Sequence, residues 1–131
     1  MCLDIKQLES KIQPKIADKD IICYKLVKRT KIKGIYKSNF QRFEYVIRQL
    51  YTSNVDSEFI GKFIYYRNRV WYSIEAGMFH SYASKSSPIL SPLPWCALLK
   101  CIIPKGAYYY EGYFDDSPSY ASSQIKILEE I

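Results

Sequence analysis

The sequence predicts an α+β fold in which residues 1–131 form a single domain around a mostly antiparallel β-sheet, with one or two short helices. The 13 tyrosines and the 16% aromatic content favour strands, because aromatic side chains fit the pleated, half-buried surface of a sheet. The run Ala97–Gly112 predicts two strands joined by a tight turn, in which Pro104 opens the turn and Gly106 supplies a positive φ at its third position. A chain of this length buries roughly two-thirds of its unfolded surface, which is enough for one core.

The first part of the chain is expected to form a helix or a loose arm and then two strands. Asp4–Ile16 carries apolar residues at helical spacing, so residues 1–19 are interpreted as a short amphipathic helix or a loosely packed arm. The alternation in residues 20–28 predicts a core strand, and Gly34 marks the turn after it. Residues 43–51 also alternate and predict a strand, although the same residues suit a helix.

The second part of the chain is expected to be rich in strands and turns. Phe59–Phe79 contains two apolar-aromatic runs around the polar residues 67–69, which predicts a hairpin. Residues 83–94 carry 3 prolines and 4 serines and predict a surface loop. Residues 113–119 predict a further loop, and residues 124–128 predict the last strand.

Positive charge is concentrated in the first part of the chain. The net charge is +6, and residues 1–50 carry 12 Lys and Arg against 5 Asp and Glu. The residues that form this basic cluster are Lys25, Lys28, Arg29, Lys31, Lys33 and Lys37. Together with neighbouring aromatic residues they are typical of a nucleic-acid contact, for which Lys28, Arg29, Lys31 and Lys33 are the candidate residues. The alternative is a solvated hairpin whose lysines discourage pairing between strand edges.

The cysteines and the chain start exclude several classes of protein. The cysteines at positions 2, 23, 96 and 101 lack the paired C-x-x-C spacing of a zinc site, so they are expected to be small buried side chains. The sequence has neither a signal peptide nor an apolar run long enough to span a membrane. We therefore expect a cytoplasmic protein with no metal, no cofactor and no membrane partner, whose ligand is a protein or a small molecule.

The single histidine is the best candidate for chemistry. His80 ends an apolar run and precedes Ser81 and Tyr82, which are placed to orient a substrate around a general base. No nucleophile motif accompanies it, so the alternative is a half-buried histidine that bonds backbone. We assign no catalytic residue and take His80, Ser81, Tyr82, Tyr24 and Gln124 as a candidate pocket. The two tryptophans, Trp71 and Trp95, are expected to be core anchors.

Several blocks of the sequence together resemble a group of small uncharacterised proteins from bacteriophages and bacterial genomes. These blocks are residues 22–25 (ICYK), 77–82 (GMFHSY), 100–106 (KCIIPKG), 109–112 (YYEG) and 119–127 (SYASSQIKI). The resemblance covers about half of the chain, mostly towards the C-terminus. It implies an origin in a mobile element and brings no known activity.

The order of these blocks is also distantly similar to the ADP-ribosyltransferase-like fold. In that fold a first strand ends in Arg or His, a serine-rich strand follows, and a Glu-x-Glu motif precedes the last strands. Here Tyr24 and Lys25 stand in place of the Arg, residues 79–84 approximate the serine-rich strand, and residues 122–124 (Ser-Ser-Gln) replace the acidic motif. The similarity implies a degenerate enzyme that binds NAD or another nucleotide. Without a glutamate to stabilise an oxocarbenium charge, it implies poor transfer or none.

These observations lead to one expected function and two alternatives. We expect a non-catalytic binding or accessory module of phage-like origin. The first alternative is the degenerate transferase acting through the candidate pocket. The second is a weak nucleic-acid binder that uses the basic segment at residues 25–37.

Overall fold

The fold of the chain is given by a computed structural model. It describes residues 3–6, 14–38, 43–53, 61–66, 69–74, 78–86, 94–114 and 117–131, and it describes side chains for all of these except 3–6, 61–66 and 69–74. This part of the chain forms one 13-stranded antiparallel sheet and contains no helix. The strands are β1 (Leu3–Lys6), β2 (Lys15–Ile16), β3 (Ile21–Arg29), β4 (Ile35–Ser38), β5 (Glu44–Val46), β6 (Leu50–Thr52), β7 (Gly61–Tyr66), β8 (Arg69–Ile74), β9 (Phe79–Tyr82), β10 (Cys96–Ile103), β11 (Tyr108–Phe114), β12 (Ser117–Ser122) and β13 (Gln124–Glu130).

The predicted α+β class is therefore wrong, because the described residues form an all-β structure. The predicted helix at Asp4–Ile16 begins inside β1, whose Asp4 is paired with Tyr113 of β11 on one side and with Ser73 of β8 on the other. The helical spacing of its apolar residues is overridden because sheet neighbours pair this backbone on both sides. Residues 7–13, which carry the middle of the predicted helix, lie outside the described residues.

Six strands close into a ring, which we call the strand ring: β3, β10, β13, β6, β5 and β4. Hydrogen-bonded pairing joins β3 to β10, β10 to β13, β13 to β6, β5 to β4 and β4 to β3. The segment 47–49 joins β5 to β6, and there Arg48 N donates to Ile127 O at 2.7 Å and Ile47 N donates to Gly34 O at 3.2 Å. β5 and β6 do not pair with each other, so the connecting segment 47–49 and its hydrogen bonds complete the ring at this point.

The C-terminal part of the chain is a long hairpin with an irregularity in its middle. Residues on β11 pair with β12, as in Tyr109 with Ser122, and residues on β10 pair with β13, as in Ile102 with Lys126. The predicted turn after Pro104 is confirmed, since Ala107 N donates to Pro104 O at 3.1 Å. However, the strands on its two sides do not pair with each other, because both lie along β12 and β13.

Residues distant in sequence bind the backbone groups of this turn. Gly106 N donates to Ala17 O at 2.8 Å, and Lys105 N donates to the Asp20 carboxylate at 2.9 Å.

The predicted loop at residues 113–119 is wrong in its extent, because β11 continues to Phe114 and β12 begins at Ser117.

The interior of the strand ring is the main hydrophobic core. Directly opposite residues of an antiparallel pair share one face, and alternate residues of β3, β10 and β13 point inward. The buried residues of this core are Ala17, Cys23, Val27, Tyr36, Tyr45, Phe79, Ala97, Leu99, Cys101, Ile103, Ala107, Ile125 and Ile127. Burying one large aliphatic side chain of this kind contributes about 1.5–3 kcal/mol.

Several predicted elements are confirmed with changed bounds. The strand at residues 20–28 is β3, and the hairpin within Phe59–Phe79 is β7 and β8, paired from Gly61 with Ile74 to Tyr66 with Arg69. The strand predicted at residues 43–51 is split into β5 and β6. It breaks at Arg48, whose φ of +69° places it in the left-handed region.

Parts of the chain predicted as turns or loops agree with the structure where it describes them. Gly34 is in the turn between β3 and β4, with a φ of +84°. Residues 83–86 and 94–95 lie outside strands, and residues 87–93 of the predicted loop lie outside the described residues.

Replacing Gly106 with Ala should destabilise the protein by about 1–2 kcal/mol, because an L side chain disfavours the left-handed backbone. The φ of Gly106 is +91°, and no heavy atom lies within 4 Å of the position that a Cβ would take, so the cost is conformational alone. Urea unfolding followed by circular dichroism measures it. Gly106→Asn should lose less stability, since Asn enters this region more readily, whereas an unchanged midpoint for Gly106→Ala would contradict the assignment.

Candidate functional site

Lys25 is a buried cation inside the strand ring. It lies on β3 directly opposite Leu99 of β10, and only 8% of its surface is exposed. Its Nζ donates to the backbone carbonyl of His80 at 2.5 Å and lies 5.1 Å from the centroid of the Tyr45 ring. The amine is therefore held between a carbonyl dipole and the face of an aromatic ring.

No carboxylate neutralises Lys25 among the residues whose side chains the structure describes. The ion pairs found there join Lys15 to Glu111 and Arg29 to Glu130. Burial lowers the pKa of Lys25, and the nearby thiols of Cys101 and Cys23 act in the opposite direction. Lys25 therefore has to be removed from the predicted surface cluster of basic residues.

Two buried thiols lie beside this amine. Cys23 of β3 is directly opposite Cys101 of β10, and both are free cysteines. Burial raises the pKa of Cys23 to about 11, while the Ser81 hydroxyl beside it lowers the pKa slightly without forming a hydrogen bond of ordinary geometry. Burial also raises the pKa of Cys101. Thiols with raised pKa values are poor nucleophiles, because the reactive form is the thiolate.

The described cysteines agree with the sequence prediction. Cys23, Cys96 and Cys101 are buried free thiols, which confirms their predicted place among buried side chains. Cys2 lies outside the described residues.

His80 is buried and makes no hydrogen bond through either ring nitrogen. Burial, reinforced by the charge of Lys25, lowers its pKa to about 3. The imidazole is therefore neutral near pH 7, and a nitrogen this weakly basic is a poor general base there. The alternative was a half-buried histidine that bonds backbone, but His80 is more deeply buried than that and its ring bonds no backbone group among the described residues.

The structure separates the residues of the predicted pocket. Tyr24 is directly opposite Tyr82, and His80 is two residues before Tyr82 on β9, so these three residues share one face of the sheet. Ser81 alternates with them and faces the interior of the strand ring. Gln124 lies on β13, which pairs with β10 and β6 rather than with β9, and its Nε2 donates to Thr52 Oγ1 at 3.2 Å.

A second site lies on the hairpin of β3 and β4, which we call the basic hairpin (residues 28–37). Lys28 and Lys37 are directly opposite each other, and Lys31 and Lys33 lie in the connecting turn. All of these lysines are exposed. Like charges placed directly opposite on a sheet destabilise it, so this arrangement costs free energy unless an anion compensates it.

Nearby acidic residues compensate the basic hairpin only in part. Arg29 is paired with Glu130, which also accepts a hydrogen bond from the Tyr36 hydroxyl at 3.1 Å. Glu44 of β5 is directly opposite Lys37, but no ion pair joins them. Among the candidate nucleic-acid residues, Arg29 therefore already has a counter-charge, whereas Lys28, Lys31 and Lys33 have none among the side chains that the structure describes.

Trp95 is the functional candidate that the sequence analysis misplaced. It was expected to be a core anchor, but 57% of its surface is exposed. Its carbonyl accepts a hydrogen bond from Arg29 N at 2.9 Å, which places it beside the start of the basic hairpin. The Pro94 before it, a residue typical of loop ends, was the available signal that Trp95 lies at a strand end. The side chain of Trp71 lies outside the described residues.

Comparisons with known proteins do not assign this chain to a family. No protein-family model, curated protein or solved structure matches it. The resemblances to phage proteins and to the ADP-ribosyltransferase-like fold, and the cytoplasmic location, therefore stay predictions.

In the described part of the chain no helix has the length and apolar character needed to cross a membrane. The side chains described there also form no cluster of three or more potential metal ligands.

Replacing Lys25 with Met should raise the free energy of unfolding at pH 7 by about 1 kcal/mol or more, because an apolar side chain of similar length removes the cost of burying an amine. Between the lowered pKa of Lys25 in the folded state and 10.5, the unfolded state binds more of the Lys25 proton than the folded state, so this part of the wild-type stability rises with pH across that window. The variant should lose this rise. Chemical unfolding at several pH values measures both effects.

A matched control for this test is Lys15→Met, which removes an exposed amine paired with Glu111. It should change stability by less than about 1 kcal/mol. If Lys25→Met destabilised the protein while Lys15→Met did not, the buried amine would be a net stabilising group and our interpretation would be wrong.

The stability of the protein should fall as the pH drops from about 6.5 towards 3, in part because of His80. Its pKa is about 3 in the folded state and 6.5 without burial, so in this window the unfolded state takes up the proton first. The His80 contribution falls by up to about 1.4 kcal/mol per pH unit. The His80→Leu variant should show a shallower decline in urea unfolding across this window. Parallel curves for the two proteins would show that His80 has a normal pKa.

Proposed function

We propose that this chain is a non-catalytic binding module whose basic hairpin holds the phosphate groups of a nucleic acid. The observation that carries the proposal is the direct opposition of Lys28 and Lys37, with Lys31 and Lys33 exposed in the turn between them. Like charges on directly opposite residues repel each other, and an external anion removes that repulsion. A phosphate backbone supplies such anions at regular spacing.

The geometry of the hairpin supports a stable platform for this contact. The Thr30 hydroxyl donates to the carbonyl of Ile35 at 2.7 Å, and Ile32 N donates back to the Thr30 oxygen at 3.2 Å. With Gly34 in the left-handed region, these bonds hold the turn in one conformation. Because the turn is already ordered, less conformational entropy is lost when the lysines bind a ligand.

The pKa values of His80 and of the two buried thiols support a binding role rather than a catalytic one. The neutral His80 and the thiols with raised pKa values lack the reactivity that acid–base or nucleophilic catalysis needs at pH 7. The exposed charge lies on the outside of the ring and at its end, where a large ligand has access.

The triple variant Lys28→Gln, Lys31→Gln, Lys37→Gln should weaken binding to a fluorescently labelled single-stranded oligonucleotide at low salt. Each lost phosphate contact should reduce the slope of log affinity against log salt by about 0.7, so the triple variant should lose about 2 in slope. Fluorescence anisotropy at several salt concentrations measures this. Lys33 is retained because it lies next to Gly34 in the turn.

The matched control removes the same charge elsewhere, in the variant Lys19→Gln, Lys85→Gln, Lys105→Gln, whose lysines are all exposed. It should leave the affinity and the slope close to those of the wild type. If both triple variants lost the same affinity, the effect would come from net charge rather than from the hairpin. Unchanged binding in the hairpin variant would contradict the proposed function.

A further inference from the structure

Trp95 and Ile32 expose large apolar surfaces at the same end of the strand ring. Trp95 is 57% exposed and Ile32, at the tip of the basic hairpin, is 62% exposed. Trp95 is hydrogen-bonded through its carbonyl to Arg29, which is three residues before Ile32. Exposed apolar residues that occur singly are common on protein surfaces. Exposed apolar patches bordered by polar or charged residues are instead typical of binding sites.

The chemistry of this patch fits an unpaired base better than a duplex. A tryptophan ring offers a flat π surface, and in single-stranded nucleic acid the faces of the bases are free to stack on it. In a duplex those faces are stacked on one another, so the ring has no base face to contact. The lysines act as point charges that hold phosphate oxygens without selecting a base.

Arg29 does not compete for the same role. Its guanidinium is engaged by Glu130, and the Tyr36 hydroxyl donates to the same carboxylate. This network connects the end of β13 to β3 and β4. Trp95 is a largely exposed aromatic residue whose backbone lies beside the start of the basic hairpin.

We propose that Trp95 stacks on an unpaired base while the lysines of the basic hairpin hold the adjacent phosphates, so that the ligand is single-stranded nucleic acid. This inference rests on the proposed function and deepens it by naming the class of nucleic acid. It predicts that the two parts of the site are separable. The lysines determine affinity for any polyanion, and Trp95 determines the preference for unpaired bases.

The test compares Trp95→Ala with the wild type on three probes: an oligothymidylate, a DNA duplex of the same length, and inorganic polyphosphate. Trp95→Ala should weaken binding to the oligothymidylate about tenfold, since stacking on an aromatic residue contributes about 1–3 kcal/mol per base. Polyphosphate has no bases, so its affinity should be unchanged. Trp95→Phe should recover most of the affinity for the oligothymidylate.

The control for lost apolar surface is Ile22→Ala, which alters an exposed residue at the other end of β3. It should bind all three probes as the wild type does. Circular dichroism and urea unfolding confirm that each variant is folded, and both altered side chains are exposed, so the fold should be retained.

The outcomes separate the inference from the proposed function. If Trp95→Ala binds the oligothymidylate as tightly as the wild type, or loses affinity for polyphosphate equally, the inference is overturned while the lysine site stands. If the wild type binds none of the three probes, both fail. If vesicles containing phosphatidylserine bind in a manner that needs Trp95 and Ile32, and the oligothymidylate does not, the ligand is a membrane surface and the inference is overturned.

Discussion

The antiparallel ladder between β3 and β10 is the constraint on which the rest of the structure depends. It pairs every residue from Ile21 with Ile103 to Lys28 with Cys96 without a register shift. On its other edge β3 pairs with β4, and on its other edge β10 pairs with β13. The β3–β10 ladder therefore links the two sides of the strand ring. Because a slip of one residue would exchange the two faces, the register decides which side chains are buried.

The same register determines the chemistry of the interior. It places Cys23 against Cys101 and Lys25 against Leu99, away from water and without a carboxylate partner among the described side chains. Burial raises the pKa of the two thiols and lowers the pKa of Lys25, and both shifts favour the neutral form of the group. The two thiols are therefore poor nucleophiles near pH 7. We propose that the function lies at the exposed end of the ring, beside the last residues of the ladder.

Much of the β-structure could be predicted from local patterns, but its pairing could not. The alternation at residues 20–28 and the turn after Pro104 depend on neighbouring residues, and both are present in the structure. The strands on the two sides of that turn pair with β3, β12 and β13, and the turn itself is bound by Ala17 and Asp20, which are distant in sequence. The helical spacing in Asp4–Ile16 was misleading for the same reason, since β1 is stabilised by pairing on both of its edges.

Some features of the candidate site depend on neighbouring residues in the sequence, and others depend on contacts between distant strands. Sequence alone determined that the chain is basic near residues 25–37 and that it lacks a nucleophile motif, because charge and motif are properties of neighbouring residues. Only the tertiary structure decided that Lys25 is buried, that Lys28 faces Lys37, and that Trp95 is exposed at the end of β3 where the basic hairpin begins. Burial and cross-strand contact depend on which strands pair, and that choice is made by the whole sheet rather than by any single segment.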